Sequence, residues 1–128
     1  MRILLDTHAF LWFVSNEAEM STRSLKIIED PSVDVLVSVA TLWEIAIKSS
    51  IGKLDLKQTF DEIIPRELTN NRFQLWAIDI AALSLVSTLP LYHRDPFDRL
   101  LIAQAIAEGI PIVTRDSAFS SYPVQIIW

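Results

Sequence analysis

The chain has 128 residues, a length that supports one hydrophobic core and is too short to divide into two that each bury enough apolar surface. Hydrophobic residues make up 51% and charged residues 21%, with two glycines, a composition that excludes disordered and collagen-like polymers. It has no cysteine and two histidines, which excludes a disulfide framework, a thiol nucleophile and a Cys-ligated zinc site, so any metal must be held by oxygen. A net charge of −5 excludes a protein that coats nucleic acid by bulk attraction, while leaving a transiently bound nucleic acid possible as substrate.

Short aliphatic runs alternate with longer amphipathic ones, the pattern of strand–helix units that build a parallel sheet. Arg2–Leu5 reads as the first strand, and Asp6 or Thr7 caps a helix through Phe10–Val14. A second helix fits Ser21–Glu29 before Asp30-Pro31 breaks it, and Val33–Val39 is the second strand. Ser38 or Thr41 starts a helix that stops near Gly52, and Asp61–Leu68 is helical with Pro65 expected to distort it. Arg72–Ala77 reads as the third strand, and Asp79 caps a helix over Ile80–Ser87. The strongest helix signal follows, with Asp95 as N-cap, Pro96 at N1, Asp98 at N3 and Gly109 closing the end. Pro111–Val113 and Val124–Ile127 are the last strands. The expected fold class is α/β: one domain over residues 1–128 with a central, mostly parallel sheet flanked by helices. The three apolar residues before Asp6 are too few for a signal peptide and no stretch suits a membrane span, so a cytoplasmic protein is expected.

In such a sheet the ligand site lies beyond the carboxyl ends of the strands. Four acidic residues satisfy that filter. Asp6 follows the first strand, Glu44 lies on the helix after the second, Asp98 opens the helix before the fourth, and Asp116 follows the fourth by a few residues. Carboxylates converging from separate segments repel unless protonated or bridged by cations, and Mg²⁺ or Mn²⁺ favours oxygen ligands. Each has a plainer role: Asp6 as a helix cap, Glu44 as a solvated helix residue, Asp98 as part of a cap, Asp116 as the start of a turn. Asp95, one turn from Asp98, is a fifth carboxylate and is assigned to the cap, although either can reach a metal.

Four segments carry a family resemblance: LLDTHAFLW (Leu4–Trp12), SVATLWEIAIKSSIGKL (Ser38–Leu54), HRDPFDRLLIAQA (His93–Ala105) and IVTRD (Ile112–Asp116). In this order and spacing they resemble the PIN-domain nucleases, and among them the VapC-type ribonuclease toxins of toxin–antitoxin modules. The resemblance implies a metal-dependent endoribonuclease whose quartet Asp6, Glu44, Asp98 and Asp116 binds Mg²⁺ or Mn²⁺. Asp6 would be the central ligand, completed by Asp98 and Asp116, with Glu44 positioning or deprotonating the water. Thr7 and Thr114 would hold those carboxylates or a metal-bound water, and Arg94, Arg99 and Arg115 would grip RNA phosphate. His93 is a candidate proton shuttle and His8 a partly buried polar residue, with no role assigned to either. The implied partners are RNA, a cognate antitoxin docked in an apolar groove along Phe10–Phe13 and Leu42–Ile47, and a second copy in a homodimer, with Trp12, Phe13 and Trp43 available to an interface.

Other readings fit less well. A phosphoacceptor receiver domain needs paired acidic residues after the first strand and a lysine after a late strand, where Arg115-Asp116 stands instead. A haloacid-dehalogenase-type phosphatase needs an aspartate where His8 stands. A binding-only PIN fold would be expected to lack part of the quartet, and a DNA-directed nuclease of this fold would carry insertions for duplex DNA.

Overall fold

A computed structural model describes all 128 residues. The elements are β1 (Arg2–Leu5), α1 (Thr7–Val14), α2 (Thr22–Glu29), β2 (Asp34–Ser38), α3 (Val39–Ser50), α4 (Phe60–Asn70), β3 (Gln74–Trp76), α5 (Ile80–Thr88), α6 (Pro96–Glu108), β4 (Ile112–Val113) and β5 (Ile126–Ile127), with a 3₁₀ helix over Ser117–Ser121. The five strands are all parallel, in the order β3-β2-β1-β4-β5.

Side chains alternate across the sheet because successive strand residues face opposite ways. From β1, Ile3 and Leu5 join one core with Phe10, Val35, Val37, Ile45 and Phe73. Leu4 joins the other with Leu36, Ala40, Ile112 and the buried residues of α6. Both faces are covered, as a parallel sheet requires, which is why the strands read as unbroken apolar runs. Helix α6 is buried over its central run Leu100–Ala105, and its one buried polar side chain, Gln104, is satisfied. Ser38 Oγ donates to Gln104 Oε1 at 2.6 Å, and Gln104 Nε2 donates to the Ala77 carbonyl at 3.1 Å.

The caps fall where side-chain chemistry places them. Asp6, Ser21, Ser38, Thr59, Asp79 and Asp95 each accept a backbone N–H in the first turn of their helix. Gly109 ends α6 at φ 68°, a left-handed conformation that a side chain would strain. One expectation is corrected in detail, the length of the strands. The strands are shorter than their apolar runs, since Val33, Phe73 and Val124 pack against the cores from outside the ladders. Pro65 lies inside α4, within the helix expected around it. The 3₁₀ helix after β4 begins at Asp116, whose plainer reading is the start of a turn.

The chain runs from β1 outward to β2 and β3, then returns to place β4 on the other side of β1. This reversal opens a crevice beyond the carboxyl ends of β1 and β4, the place where doubly wound sheets bind ligands. Asp6 follows β1 there, its backbone N–H donating to the Val113 carbonyl at 3.1 Å.

Candidate active site

Asp6 and Glu44 are each 3% exposed. Asp6 Oδ1 accepts the N–H of Ala9 at 2.8 Å, so this carboxylate both caps α1 and borders the crevice. Burial pushes its pKa up, against the opposing effects of the Thr114 hydroxyl, the Ala9 N–H and His8, with Asp116 adding to the rise. Glu44, on the second turn of α3, is engaged at both oxygens: the Thr7 hydroxyl donates to Oε1 at 2.7 Å, and Lys48 Nζ donates to Oε2. That bond to Glu44 holds the Lys48 ammonium above the usual lysine range against partial desolvation, helped by the nearby charges of Asp95 and Asp98.

Asp98 reports the convergence most directly. Its pKa is pushed up to about 8, first by burial and then by the charges of Asp95, Asp6, Glu44 and Asp116. Asp6, Glu44 and Asp116 thus each act on Asp98 electrostatically, as does Asp95, while of the expected quartet only Asp98 and Asp116 fall, with His93, in a group whose donor atoms all lie within 4.8 Å of one another. Asp95 also performs the cap assigned to it: Oδ1 accepts the N–H groups of Phe97 at 2.8 Å and Asp98 at 3.0 Å.

Asp116 follows β4 and caps the 3₁₀ helix, its Oδ1 accepting the N–H of Ala118 at 2.9 Å, while its own N–H donates to Thr114 Oγ1 at 3.0 Å. The side chain is 43% exposed. Its Oδ2 lies 3.0 Å from His93 Nε2, which is also 3.1 Å from Asp98 Oδ2. His93 thus belongs to the site, although the sequence assigned it no role. Its place just ahead of the Asp95 cap was the only local signal, since Asp116 is distant in the chain.

The three arginines part company. Arg99 spends its guanidinium on carbonyls at the end of α5, donating to Pro90 at 2.8 Å and Leu89 at 3.1 Å, beside the Tyr122 hydroxyl. Tyr122 itself donates to the Pro90 carbonyl at 2.6 Å. Arg115 lies over the Trp12 ring, 4.5 Å from its centroid, and lines a shallow recess with Asp6, His8, Trp12 and Asp116. Arg94 is exposed beside His93. His8 is exposed as well, its ring 5.3 Å from that of Trp12.

The donor set suits a divalent cation. Carboxylates from separate elements act on one another here, with Lys48 bonded to Glu44 and His93 between Asp98 and Asp116, and hard cations take oxygen ligands. Beside the crevice, a groove of about 650 Å³ runs past Glu44 and Lys48, lined by apolar residues such as Phe10, Leu11 and Ile63 together with charged ones such as Lys53, Asp55 and Glu67.

The PIN domain family model matches residues 3–125, and the chain belongs to the PIN-domain family. Its fold is similar to a chain in VapBC2 from Rickettsia felis, solved bound to a DNA fragment from the promoter, with TM-score 0.75, 16% identity, and coverage of 99% of this chain and 98% of that one. A chain of VapBC-1 from nontypeable Haemophilus influenzae matches at TM-score 0.67 and 16% identity, over 99% and 97% of the two chains. VapBC-5 from Mycobacterium tuberculosis, a member of the VapBC family of toxin–antitoxin systems, matches at TM-score 0.58 and 20% identity, over 98% and 97%. No curated protein matches by sequence. No helix is long and apolar enough to cross a membrane.

Proposed function

We propose that this chain is a Mg²⁺- or Mn²⁺-dependent endoribonuclease, the toxin of a toxin–antitoxin pair working in the cytoplasm. What supports the reading most is Asp98, which burial and then the charges of Asp95, Asp6, Glu44 and Asp116 push up to about 8, beside the sheet's switch point. Asp6, Asp98 and Asp116 are the residues that would hold the cation. When bound, a divalent ion acidifies water and offsets charge on the scissile phosphate. Glu44, held by Thr7 and Lys48, orients the attacking water and accepts its proton. Thr114, next to Asp6 and bonded to the Asp116 N–H, keeps those two carboxylates in place. Arg115, braced on Trp12, grips the phosphate, with exposed Arg94 as the second contact. Arg99 is committed to carbonyls and has a structural role here.

The antitoxin docks in the groove along α1 and α3, which runs directly past Glu44. Solved structures similar to this chain include VapBC-5, of the VapBC family of toxin–antitoxin systems, and a toxin–antitoxin complex from Klebsiella pneumoniae, which supports such a partner. Exposed apolar side chains on two helices, Val39 and Trp43 of α3 and Ile80 and Leu83 of α5, support a homodimer.

The test is direct. Purified protein free of antitoxin cuts RNA in Mg²⁺ or Mn²⁺, stops in EDTA, and loses cleavage on Asp6→Asn. Sedimentation at micromolar concentration gives a dimer. Cleavage that survives chelator and amide replacement of the quartet would refute the reading, as would hydrolysis of DNA with RNA left intact.

A further inference from the structure

His93 sits between two carboxylates that come from different parts of the chain, and every atom of it that can be fixed is fixed. Its backbone N–H donates to the Tyr122 hydroxyl at 2.9 Å. Its ring meets the Phe119 ring edge-on, with centroids 5.6 Å apart. The backbone N–H of Asp95 donates to Nδ1 at 3.1 Å. An Nδ1 that accepts cannot carry the proton, so the neutral ring bears it on Nε2, the atom 3.0 Å from Asp116 Oδ2 and 3.1 Å from Asp98 Oδ2.

We infer that His93 is a positioning residue for the cation site: its Nε2–H, aimed by Asp95, Tyr122 and Phe119, holds the Asp116 carboxylate against Asp98. The inference rests on the proposed nuclease reading and extends it. Asp116 needs such a hold. It lies on a half-exposed loop, and its only other side-chain bond is to its own turn at Ala118. Asp98 stands on α6, a rigid helix, so the distance between the two carboxylates depends on a link across segments. His93 supplies it, with its backbone and ring packed on the 3₁₀ segment and its Nδ1 tied to the N-terminus of α6.

His93, Asp98 and Asp116 each offer a donor atom within 4.8 Å of the others, which can also be read as a three-ligand metal site. The bond from the Asp95 N–H argues against that reading. A ligating Nε2 must lose its proton, and that proton could move only to an Nδ1 already facing a donor.

Glutamine and asparagine separate the two readings, because the Gln amide reaches the place of Nε2 whereas the Asn amide reaches only that of Nδ1. Mn²⁺ is titrated calorimetrically into the parent, His93→Gln, His93→Asn and His93→Leu, with RNA cleavage kinetics and unfolding in EDTA measured alongside. His93→Leu and His93→Asn are expected to bind Mn²⁺ on the order of 10-fold more weakly and to lose kcat with little change in KM, the effect usual for losing a group that orients a ligand. His93→Gln is expected to recover most of the affinity. If His93→Leu does not fold, the Gln–Asn comparison decides. Parent-like affinity in His93→Asn overturns the inference, and so does a His93→Gln as weak as His93→Asn, since the imidazole would then be a ligand itself. A parent that binds no Mn²⁺ overturns the metal reading and this inference with it.

Discussion

Replacing Asp98 by asparagine keeps the size and polarity of the side chain and removes the charge that its neighbours oppose. The aspartate pKa moves from 3.8 to about 8 in the folded protein. That is a difference of about 4 units, and each is worth about 1.4 kcal/mol between the two protonation states. The direction follows from linkage. A carboxyl raised on folding contributes fully below its unfolded pKa, and that contribution drains away as pH rises through the folded value. The metal-free parent should therefore lose stability between pH 4 and 8, by an upper limit on the order of 5 kcal/mol, which water entry and side-chain relaxation reduce. Asp98→Asn lacks this slope. In EDTA the two proteins should melt together near pH 4, and the variant should pull ahead as pH rises. At this chain length a kcal/mol moves Tm by roughly 3–5 °C, so the gap at pH 8 should reach on the order of 10 °C. Added Mn²⁺ should reverse the order by stabilising the parent far more than the variant. Circular dichroism melts at four pH values measure all of this. A gap that stays constant with pH, or an Asp98→Asn that is the less stable protein at pH 8 in EDTA, would refute the convergence of charge on this side chain.

Two further outcomes separate site from scaffold. Asp95→Ala removes the acceptor for the Phe97 and Asp98 N–H groups and should cost about 1 kcal/mol at pH 5 in chemical unfolding. The loss should narrow towards pH 8, as relief of the repulsion on Asp98 offsets it, and RNA cleavage should persist. Arg99→Met should lower stability by about 2 kcal/mol through the lost bonds to Pro90 and Leu89. Arg115→Ala should leave unfolding within about 0.5 kcal/mol and weaken RNA binding in a filter assay. The opposite pattern for the two arginines would reverse their assignments.

What the sequence conveys well is local. Asp79, Asp95, Pro96 and Gly109 mark helix ends through bonds or torsions made within a few residues, and the structure puts α5 and α6 where those residues indicate. The candidate quartet is picked by a related rule: Asp6 and Asp116 come after strands, Asp98 opens a helix, Glu44 lies on the helix after a strand, and a parallel sheet brings those ends towards one side. Contacts that depend on distant partners were not legible. Nothing beside His93 announces Asp116, nothing beside Arg99 announces that it serves the carbonyls ending α5, and the pairing of Glu44 with Thr7 spans two strand–helix units. The strands read too long for the same reason, since apolar residues that pack on a core look alike in sequence whether or not they join the ladder.

The strand order also sets a schedule. β1 is made first, yet its partner on one side is β4, with Leu4 beside Ile112 and Leu5 beside Val113. A ribosome adding on the order of 10 residues per second finishes the N-terminal elements seconds before that partner exists. Closing so long a loop is among the slower steps available to a small domain. Asp6 and Asp116 therefore meet late, after β2 and β3 have had time to pair with β1. A growing chain holds the carboxylates in pieces, and the crevice between β1 and β4 closes only after Asp116 has been made. On the proposed nuclease reading, this order of assembly keeps the unfinished chain inert.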